Sequence, residues 1–544
     1  MSSEDSPVDA TDAMPARTLP SPPVNAAGVL GLHPPLLRKQ SSPMMPPFMV
    51  SAPGKVIVYG EHAVVHGKAA IAAAISLRSY LHVSFLSKSH RTVTLLFPDI
   101  QMEHTWSLDH LPWAAFSAPG KKKYYYDLVT SLDPDLLDAL GSHIDAVSPK
   151  APESIRKIHH ASARSFLYLF LSLASRKTAP CTYTLRSTIP IGAGLGSSAS
   201  ISVCISAALL LQIRALSGPH QDQPATECEL QIERINRWAF VGEMCIHGNP
   251  SGVDNTVSAG GKAVLFQRKD YNRPPVVTPL HSFPELPLLL VNTRQSRSTA
   301  LEVAKVATLR SAHPALTENI LHAIGQVTES AHELLTSKKF DPTSPIALKH
   351  LGDLITINHG LLVSLGVSHP KLERIRELID HTGIGWTKLT GAGGGGCAIT
   401  ILKPQPTTVT NGHGNGTHHD SSSDESDSSS EADCSASIIS TSTKLKHKIL
   451  DNLEAKLENE GFDKFETTLA GDGVGVLWPA VLHNGNEEEG GEEIDSEKFL
   501  KAEGTEGVER LVGVASTRKK RTEIEVREGW KFWRPWEGGL PQIY

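Results

Sequence analysis

Apolar and polar positions change their period several times along the chain, and each change marks an element. "RTVTLLF" (91–97) and "CTYTLRSTI" (181–189) have β character, the second with the twofold alternation of a half-buried strand. "FMVSAPGKVIVY" (48–59) reads as two short strands, Met49 to Ser51 and Val56 to Tyr59, joined through a Pro-Gly turn. Helical spacing follows in "SIRKIHHASARSFLYLFLSLASR" (154–176) and in "SSASISVCISAALLLQIRAL" (197–216), which carries small residues along much of its length. In "ELQIERINRWAFVGEMCIHG" (229–248), Ile235, Trp238, Ala239, Gly242 and Ile246 form one apolar stripe. After about residue 270 a strand, "LPLLLVNTR", opens a second unit with helices near Thr299 to Ser311, Leu316 to Leu335 and Ile346 to Leu365. "WTKLTGAGGGGCAITIL" and "FETTLAGDGVGVLW" are strand-like, and "KLKHKILDNLEAKLENEG" before the latter is a helix.

Three segments lack any such period. Residues 1–47 are rich in Pro, Ser and Ala and are expected to be disordered, as is an acidic, serine-rich insert at about 404–443. A low-order tail is expected over 483–544, with "NEEEGGEEIDSE", a basic "TRKKR" and an aromatic "WKFWRPW". The serines of the insert suit acid-directed phosphorylation or form a plain solvated spacer. "TRKKR" reads as a localisation signal or a solvated run, and "WKFWRPW" as a docking patch or a spacer. Folded domains are placed at 48–275 and 285–480.

Composition narrows the function classes. A 544-residue chain that is 40% hydrophobic holds two cores, and a net charge of -6 without a Lys/Arg stripe excludes a nucleic-acid surface. The longest apolar runs are too short or too serine-rich to span a bilayer. The first fifty residues show no signal pattern and carry Glu4, Asp5, Asp9 and Asp12, against a mitochondrial leader. Six cysteines without CxxC pairs read as reduced thiols, which implies neither zinc nor disulfides and fits a cytoplasmic protein.

The candidate chemistry lies in glycine clusters. In "PIGAGLGSSAS" (190–200) a strand feeds glycines that feed a helix. Gly192, Gly194 and Gly196 permit positive φ, and Ser197 and Ser198 fall where the first N–H groups lack partners and the helix dipole favours an anion. The stretch is a phosphate cradle or simply a capped helix after a turn. It is not a Walker A loop, since no lysine follows. Gly391–Gly396 formally match GxGxxG, but a strand follows where a dinucleotide site needs a helix, so a loop packed on a ligand or on the first glycine loop fits better. In "GEMCIHGNPSGVDN" Glu243 ends a helix and Asp254 follows across a Gly/Asn/Pro/Ser turn: two site carboxylates, or a cap and an Asx turn.

Taken together, "SAPGKVIVYGEHAVVHG" (51–67), "PIGAGLGSSAS" and "KLTGAGGGGCAIT" (388–400) resemble the GHMP small-molecule kinases, over roughly 48–400 and 444–480. "GEHAVVHGK" and "HGNPSGVDN" are similar to the members acting on mevalonate rather than on homoserine or galactose. The resemblance implies an α+β, two-domain fold: an N-terminal α+β domain and a C-terminal ferredoxin-like α/β plait, with the site between them. It implies transfer from MgATP to (R)-mevalonate, giving 5-phosphomevalonate at an early step of isoprenoid and sterol synthesis. Homodimers, and prenyl diphosphates that compete with ATP, are implied as well.

Residue by residue, the resemblance assigns Gly192, Ala193, Gly194, Leu195, Gly196, Ser197 and Ser198 to the triphosphate. Ser198 and Glu243 hold Mg²⁺, Asp254 takes the hydroxyl proton, and Lys55 stands beside Asp254 and the γ-phosphate. Glu61, His62, Ser251 and Thr299 match the mevalonate side, and Ser187 a nucleotide contact. Glu61 with His62 also reads as a buried ion pair, Thr299 as a helix cap, and Ser187 as a strand end. Asp99 stands where animal members often have Asn near the adenine, and an acid there can still accept from an adenine amine. Other readings are another GHMP kinase, such as a phosphomevalonate or homoserine kinase, a silent sensor on the same scaffold, or a nucleotide oxidoreductase using Gly391–Gly396. The presence of Lys55, Ser198, Glu243 and Asp254 together disfavours the sensor.

Overall fold

Pro53 and Gly54 do not break the first strand. In a computed structural model of the chain, β1 (Phe48–Tyr59) runs through them, and the Pro-Gly pair becomes an irregularity where the register against β2 (Ala69–Phe85) shifts between Pro53 and Lys55. The expected turn is instead a bulge, which re-aims the following side chain. A Cβ on Gly54 would stand 2.9 Å from the Leu195 carbonyl, so only glycine lets the strand approach the glycine loop. The structure describes residues 45–119, 121, 129–220, 222–269, 275–403, 448–484, 491–513 and 527–535. The extension up to residue 44, the insert at 404–443 with Cys434, and the basic run at 517–521 lie outside the described residues.

The elements that follow are β3 (Thr92–Phe97), β4 (Met102–Ser107), α1 (Trp113–Phe116), α2 (Pro134–Asp145), α3 (Glu153–Leu173), β5 (Cys181–Ser187), α4 (Ser197–Gln212), α5 (Ala225–His247), α6 (Val253–Gly260), β6 (Ala263–Gln267) and β7 (Val276–Leu280). The second half holds β8 (Leu286–Asn292), α7 (Thr299–Ala312), α8 (Pro314–Thr336), α9 (Pro345–Ser364), α10 (Pro370–Asp380), β9 (Gly385–Leu389) and β10 (Cys397–Leu402). A helix over 448–459, α11, then leads to β11 (Asp463–Leu469) and β12 (Gly475–Leu477).

In the second half the strands lie in the order β11-β8-β10-β9, all antiparallel. That is fourth, first, third, second in chain order, with helices in the first and third connections: the ferredoxin-like plait. The boundary expected between 275 and 285 is crossed by the sheet. β11 bonds β8 along its length and meets β2 at Leu469 and Ile75, while β12 returns to pair with β1.

Helices α3, α4 and α5 pack on β1, β2, β3 and β5 around one apolar core that includes Phe166, Phe170, Tyr183, Val203 and Trp238. α4 is buried on nearly every side from Ala199 to Leu211, which its small residues allow. A helix enclosed in this way is a rigid mount for whatever its N-terminus faces. Among the described residues the cysteines Cys181, Cys204, Cys228, Cys245 and Cys397 are unpaired and buried.

The low-order tail expected from 483 differs from what the chain builds. Its described parts form β13 (Val481–Asn484), β14 (Glu492–Glu493), α12 (Ser496–Lys501), α13 (Gly504–Leu511), β15 (Arg527–Glu528) and β16 (Lys531–Phe532). β16 adds to the edge of β12, and Trp533 is fully buried, with its indole N–H donating to Gln231 at 3.0 Å. The aromatic motif therefore docks within its own chain. The polar composition concealed this because few apolar residues, Ile494, Phe499, Val508 and Val512, are enough to seat two short helices on Met49 and Tyr80.

Candidate active site

Two helix starts meet at one cavity of about 770 Å³. α4 begins after Gly196 (φ 73°) and α6 after Gly252 (φ 81°); no side chain caps α4, and in α6 the Ser251 hydroxyl takes only the first N–H, that of Val253, at 3.4 Å. The first N–H groups of α4 therefore keep their capacity for an outside acceptor, and both dipoles favour negative charge there. The capped-helix alternative for "PIGAGLGSSAS" is not what the chain builds. Gly192, Gly194, Leu195, Gly196, Ser197 and Ser198 line the cavity, as do Lys55, Ser251, Asp254 and Thr299.

Lys55 supplies the cation missing from the glycine loop. Its backbone N–H donates to Leu195 O at 2.8 Å, and its Nζ lies 3.2 Å from Asp254 Oδ1 and 3.5 Å from Gly194 O. The lysine is nearly buried, whereas a third of the Asp254 side chain faces solvent. The backbone N–H of Thr256, which an Asx turn would offer to Asp254, donates to Gly252 O instead, and the Asp254 carboxylate lines the cavity. Glycine suits position 196, whose φ of 73° strains other residues and where a Cβ would stand 3.0 Å from Lys55 Cγ.

Glu243 lies behind Ser198, on the last turns of α5, and is 3% exposed. Burial pushes its carboxyl up to about 8, neighbouring Asp254 adds to this, and a hydrogen bond from Ser198 and the charge of Lys55 oppose it. Its Oε1 is buried without a partner. His247 Nε2 sits between the two, 3.1 Å from Ser198 Oγ and 3.9 Å from Glu243 Oε2. A buried carboxylate with an orphaned oxygen beside a hydroxyl suits a hard divalent cation. Among the described residues no group of three or more His, Cys, Asp or Glu is placed to hold a metal ion, so these two oxygens would leave room for phosphate and water.

Not every predicted residue reaches the cavity. Ala193 is buried, and its carbonyl accepts from Arg297. Ser187 ends β5 off the lining, its Oγ bonded to Ser79 Oγ at 3.1 Å. Glu61 and His62 do not pair with each other. The Glu61 carboxylate is bound by Lys388, both side chains fully buried, and Lys388 Nζ also donates to Val58 O at 2.8 Å. Burial pushes Glu61 up and Lys388 down, and their mutual attraction opposes both shifts. His62, held at φ 59°, meets Ala392 O through Nε2 at 2.8 Å. Thr299 is the first residue of α7, and the cap is Ser298, which accepts from Leu301 N–H. Both Asp99 oxygens are engaged within the chain: Oδ2 accepts from Ser187 N–H at 2.7 Å and Oδ1 from Arg186 Nε at 2.9 Å.

Sequence reasoning missed Arg297. It lines the cavity, with Nη2 donating to Ala193 O at 3.2 Å and Nη1 to Thr390 O at 3.4 Å, and so joins the two glycine loops. A Cβ on Gly194 would stand 1.9 Å from Nη2 and one on Gly396 2.7 Å from the guanidinium carbon. Burial lowers its pKa, with Cys397 and Glu302 opposing. The signal was present in "RQSRST", a basic residue between a strand and a helix, but nothing local tied it to glycines a hundred residues away in either direction.

Comparison with known proteins agrees with this geometry. Family models described as "GHMP kinases N terminal domain" and "GHMP kinases C terminal" match residues 163–262 and 346–408. The chain is 63% identical over 505 residues to a mevalonate kinase of Gibberella zeae, across 92% of this chain and 90% of that protein. The chain belongs to the mevalonate kinases of the GHMP kinase family. A second member of that family, the mevalonate kinase of Aspergillus fumigatus, is 61% identical over 497 residues, 91% of this chain and 84% of that one. The fold is shared with the crystal structure of the Methanococcus jannaschii mevalonate kinase, at a TM-score of 0.50 and 20% identity, over 79% of this chain and 100% of that one. The hairpin between β9 and β10 accounts for Gly391–Gly396, whose loop packs against Arg297. A dinucleotide helix is absent there among the described residues.

Proposed function

We propose that the chain transfers the γ-phosphoryl group of ATP to the 5-hydroxyl of mevalonate, giving 5-phosphomevalonate and ADP, with both substrates in the 770 Å³ cavity. The observation that carries this reading is the Lys55–Asp254 pair, 3.2 Å apart, where the N-termini of two helices face one cavity. The N–H groups from Gly192 to Ser198 cradle the phosphates, and Lys55 and Arg297 offset their charge. Asp254 orients the hydroxyl and accepts its proton as the alcohol oxygen bonds to the γ-phosphorus. The bond from that phosphorus to the bridging oxygen breaks, and ADP leaves with its electron pair.

Mg²⁺ fits between Ser198 and Glu243 and, when bound, neutralises charge on the phosphates. Ser251 and Thr299 line the acceptor side. Glu61 acts from beneath it, since its ion pair with Lys388 and the His62 contact with Ala392 O fix the loop after β1 to the second glycine loop. The two-part organisation, 48–275 and 285–480, belongs to this reading, as do a homodimer, prenyl diphosphates competing with ATP, and a cytoplasmic setting. Among the described residues no helix is long and apolar enough to cross a membrane.

ADP release measured with mevalonate, phosphomevalonate, homoserine and galactose as acceptors, with and without Mg²⁺, tests the assignment. Turnover is expected with mevalonate and metal. Faster turnover with another acceptor would replace mevalonate as the substrate.

A further inference from the structure

Besides the glycine loop, the cavity is lined by the apolar side chains of Leu95, Phe97, Ile100, Ile158, Leu185 and Ile201. Such a lining suits a flat base, whereas the phosphates belong at the helix mouths. Phe97 precedes and Ile100 ends a tight 3₁₀ turn, Pro98–Ile100, and Asp99 within it bonds the end of β5 through both oxygens, as described above.

The guanidinium of Arg186 is shared. Besides Asp99, it binds the last carbonyls of α12: Nη1 donates to Phe499 O at 3.0 Å and Leu500 O at 3.1 Å, and Nη2 to Ala502 O at 2.6 Å. Those carbonyls have no intrahelical donor, so the arginine caps the helix end and complements its dipole. Arg186 is 5% exposed, and a guanidinium so buried needs these acceptors. α12 is held in place by Phe499, which is fully buried against the His82 ring at a centroid distance of 6.0 Å.

We propose that the docked C-terminal segment braces the base end of the nucleotide cavity, with Arg186 and Asp99 as positioning residues that relay the seating of α12 to Phe97 and Ile100. One guanidinium serves a carboxylate that stands between the cavity-lining Phe97 and Ile100 and a helix end 313 residues further along the chain. If α12 leaves, Arg186 loses three acceptors and is drawn toward water, and the turn carrying Asp99 loses its fixed partner. The inference rests on the reading that ATP occupies this cavity with its base against these apolar residues.

Two variants of the full chain test it. Arg186→Lys keeps a charge beside Asp99, but a point charge cannot serve the carboxylate and three carbonyls together. Phe499→Ala loosens α12 without touching the cavity. Both are expected to raise the Kd of MgATP about fivefold to tenfold while kcat and KM for mevalonate stay within about twofold of the parent. Hydrogen exchange at Phe97–Gln101 should quicken in both. Folded variants with an unchanged Kd would overturn the brace, as would equal losses for both substrates, which mean a structural role only. Ser198→Ala in the same titration separates the two readings. If it weakens MgATP binding and the other two do not, the brace alone fails. If it too changes nothing, the nucleotide lies elsewhere and both readings fail.

Discussion

At the scale of single residues, the site depends on charged groups held where water reaches them poorly. Glu243 is the clearest case. Its carboxyl is pushed up to about 8, chiefly by burial, and its Oε1 has no partner, a cost that a bound cation offsets. Glu243→Gln is nearly isosteric and removes only the charge, so it should raise the Mg²⁺ needed for half-maximal activity by about tenfold or more. A magnesium titration checks this, and an unchanged midpoint would remove Glu243 as a ligand. Lys55, Ser198, Glu243 and Asp254 were all legible in the sequence, because each stands in a short motif with glycines at fixed offsets. Arg297 and Lys388 were not. Each becomes part of the site only through chain crossings that bring distant loops together, and a lone Lys in "WTKLT" shows only that an apolar strand carries one cation.

At the scale of elements, the periodic pattern located the long helices well. α7, α8 and α9 start within two residues of their expected positions, since each presents a clear apolar stripe or begins at a proline or a capping serine. The bulged β1 was misread as two strands because Pro-Gly is locally a turn signal. Long-range pairing with β2 on one side and β12 on the other outweighs that preference. The bulge has a consequence for the chemistry. It sits immediately before Lys55, and the Lys55 N–H to Leu195 O bond ties strand and glycine loop together. Lys55 therefore reaches the cavity from an element that carries no glycine-loop signature of its own.

At the scale of the whole molecule, the two halves share one sheet, and the C-terminal segment closes over the outer edge of the first. Composition concealed this segment, because its contacts are made by scattered aromatic and charged residues rather than by a periodic stripe. Its seat is also pH-sensitive. His82, 1% exposed and with both ring nitrogens unpartnered, is held by burial at about 4 rather than 6.5. Between those values the unfolded chain binds more protons than the folded one, so stability falls as pH drops from about 6.5 to 4 and levels off below. The loss is at most about 3 kcal/mol. Glu509 on α13 acts in the opposite sense: burial, then Glu506, raises it to about 7, so its contribution is lost as pH rises from 4.5 through 7. His82→Phe should therefore flatten the acid side of the stability curve and leave the alkaline side unchanged. Melting temperatures between pH 4 and 8 check this, and an acid limb as steep as the parent's would show that His82 does not cause it.

The central claim is that Asp254, paired with Lys55, receives the proton of the acceptor hydroxyl. Rapid-quench measurement of a single turnover by Asp254→Asn, with MgATP affinity measured on the same protein, tests it most directly. The phosphoryl-transfer rate should fall by about 10²–10⁴ while the Kd for MgATP stays within about threefold of the parent. A near-normal transfer rate in the folded variant would contradict the claim.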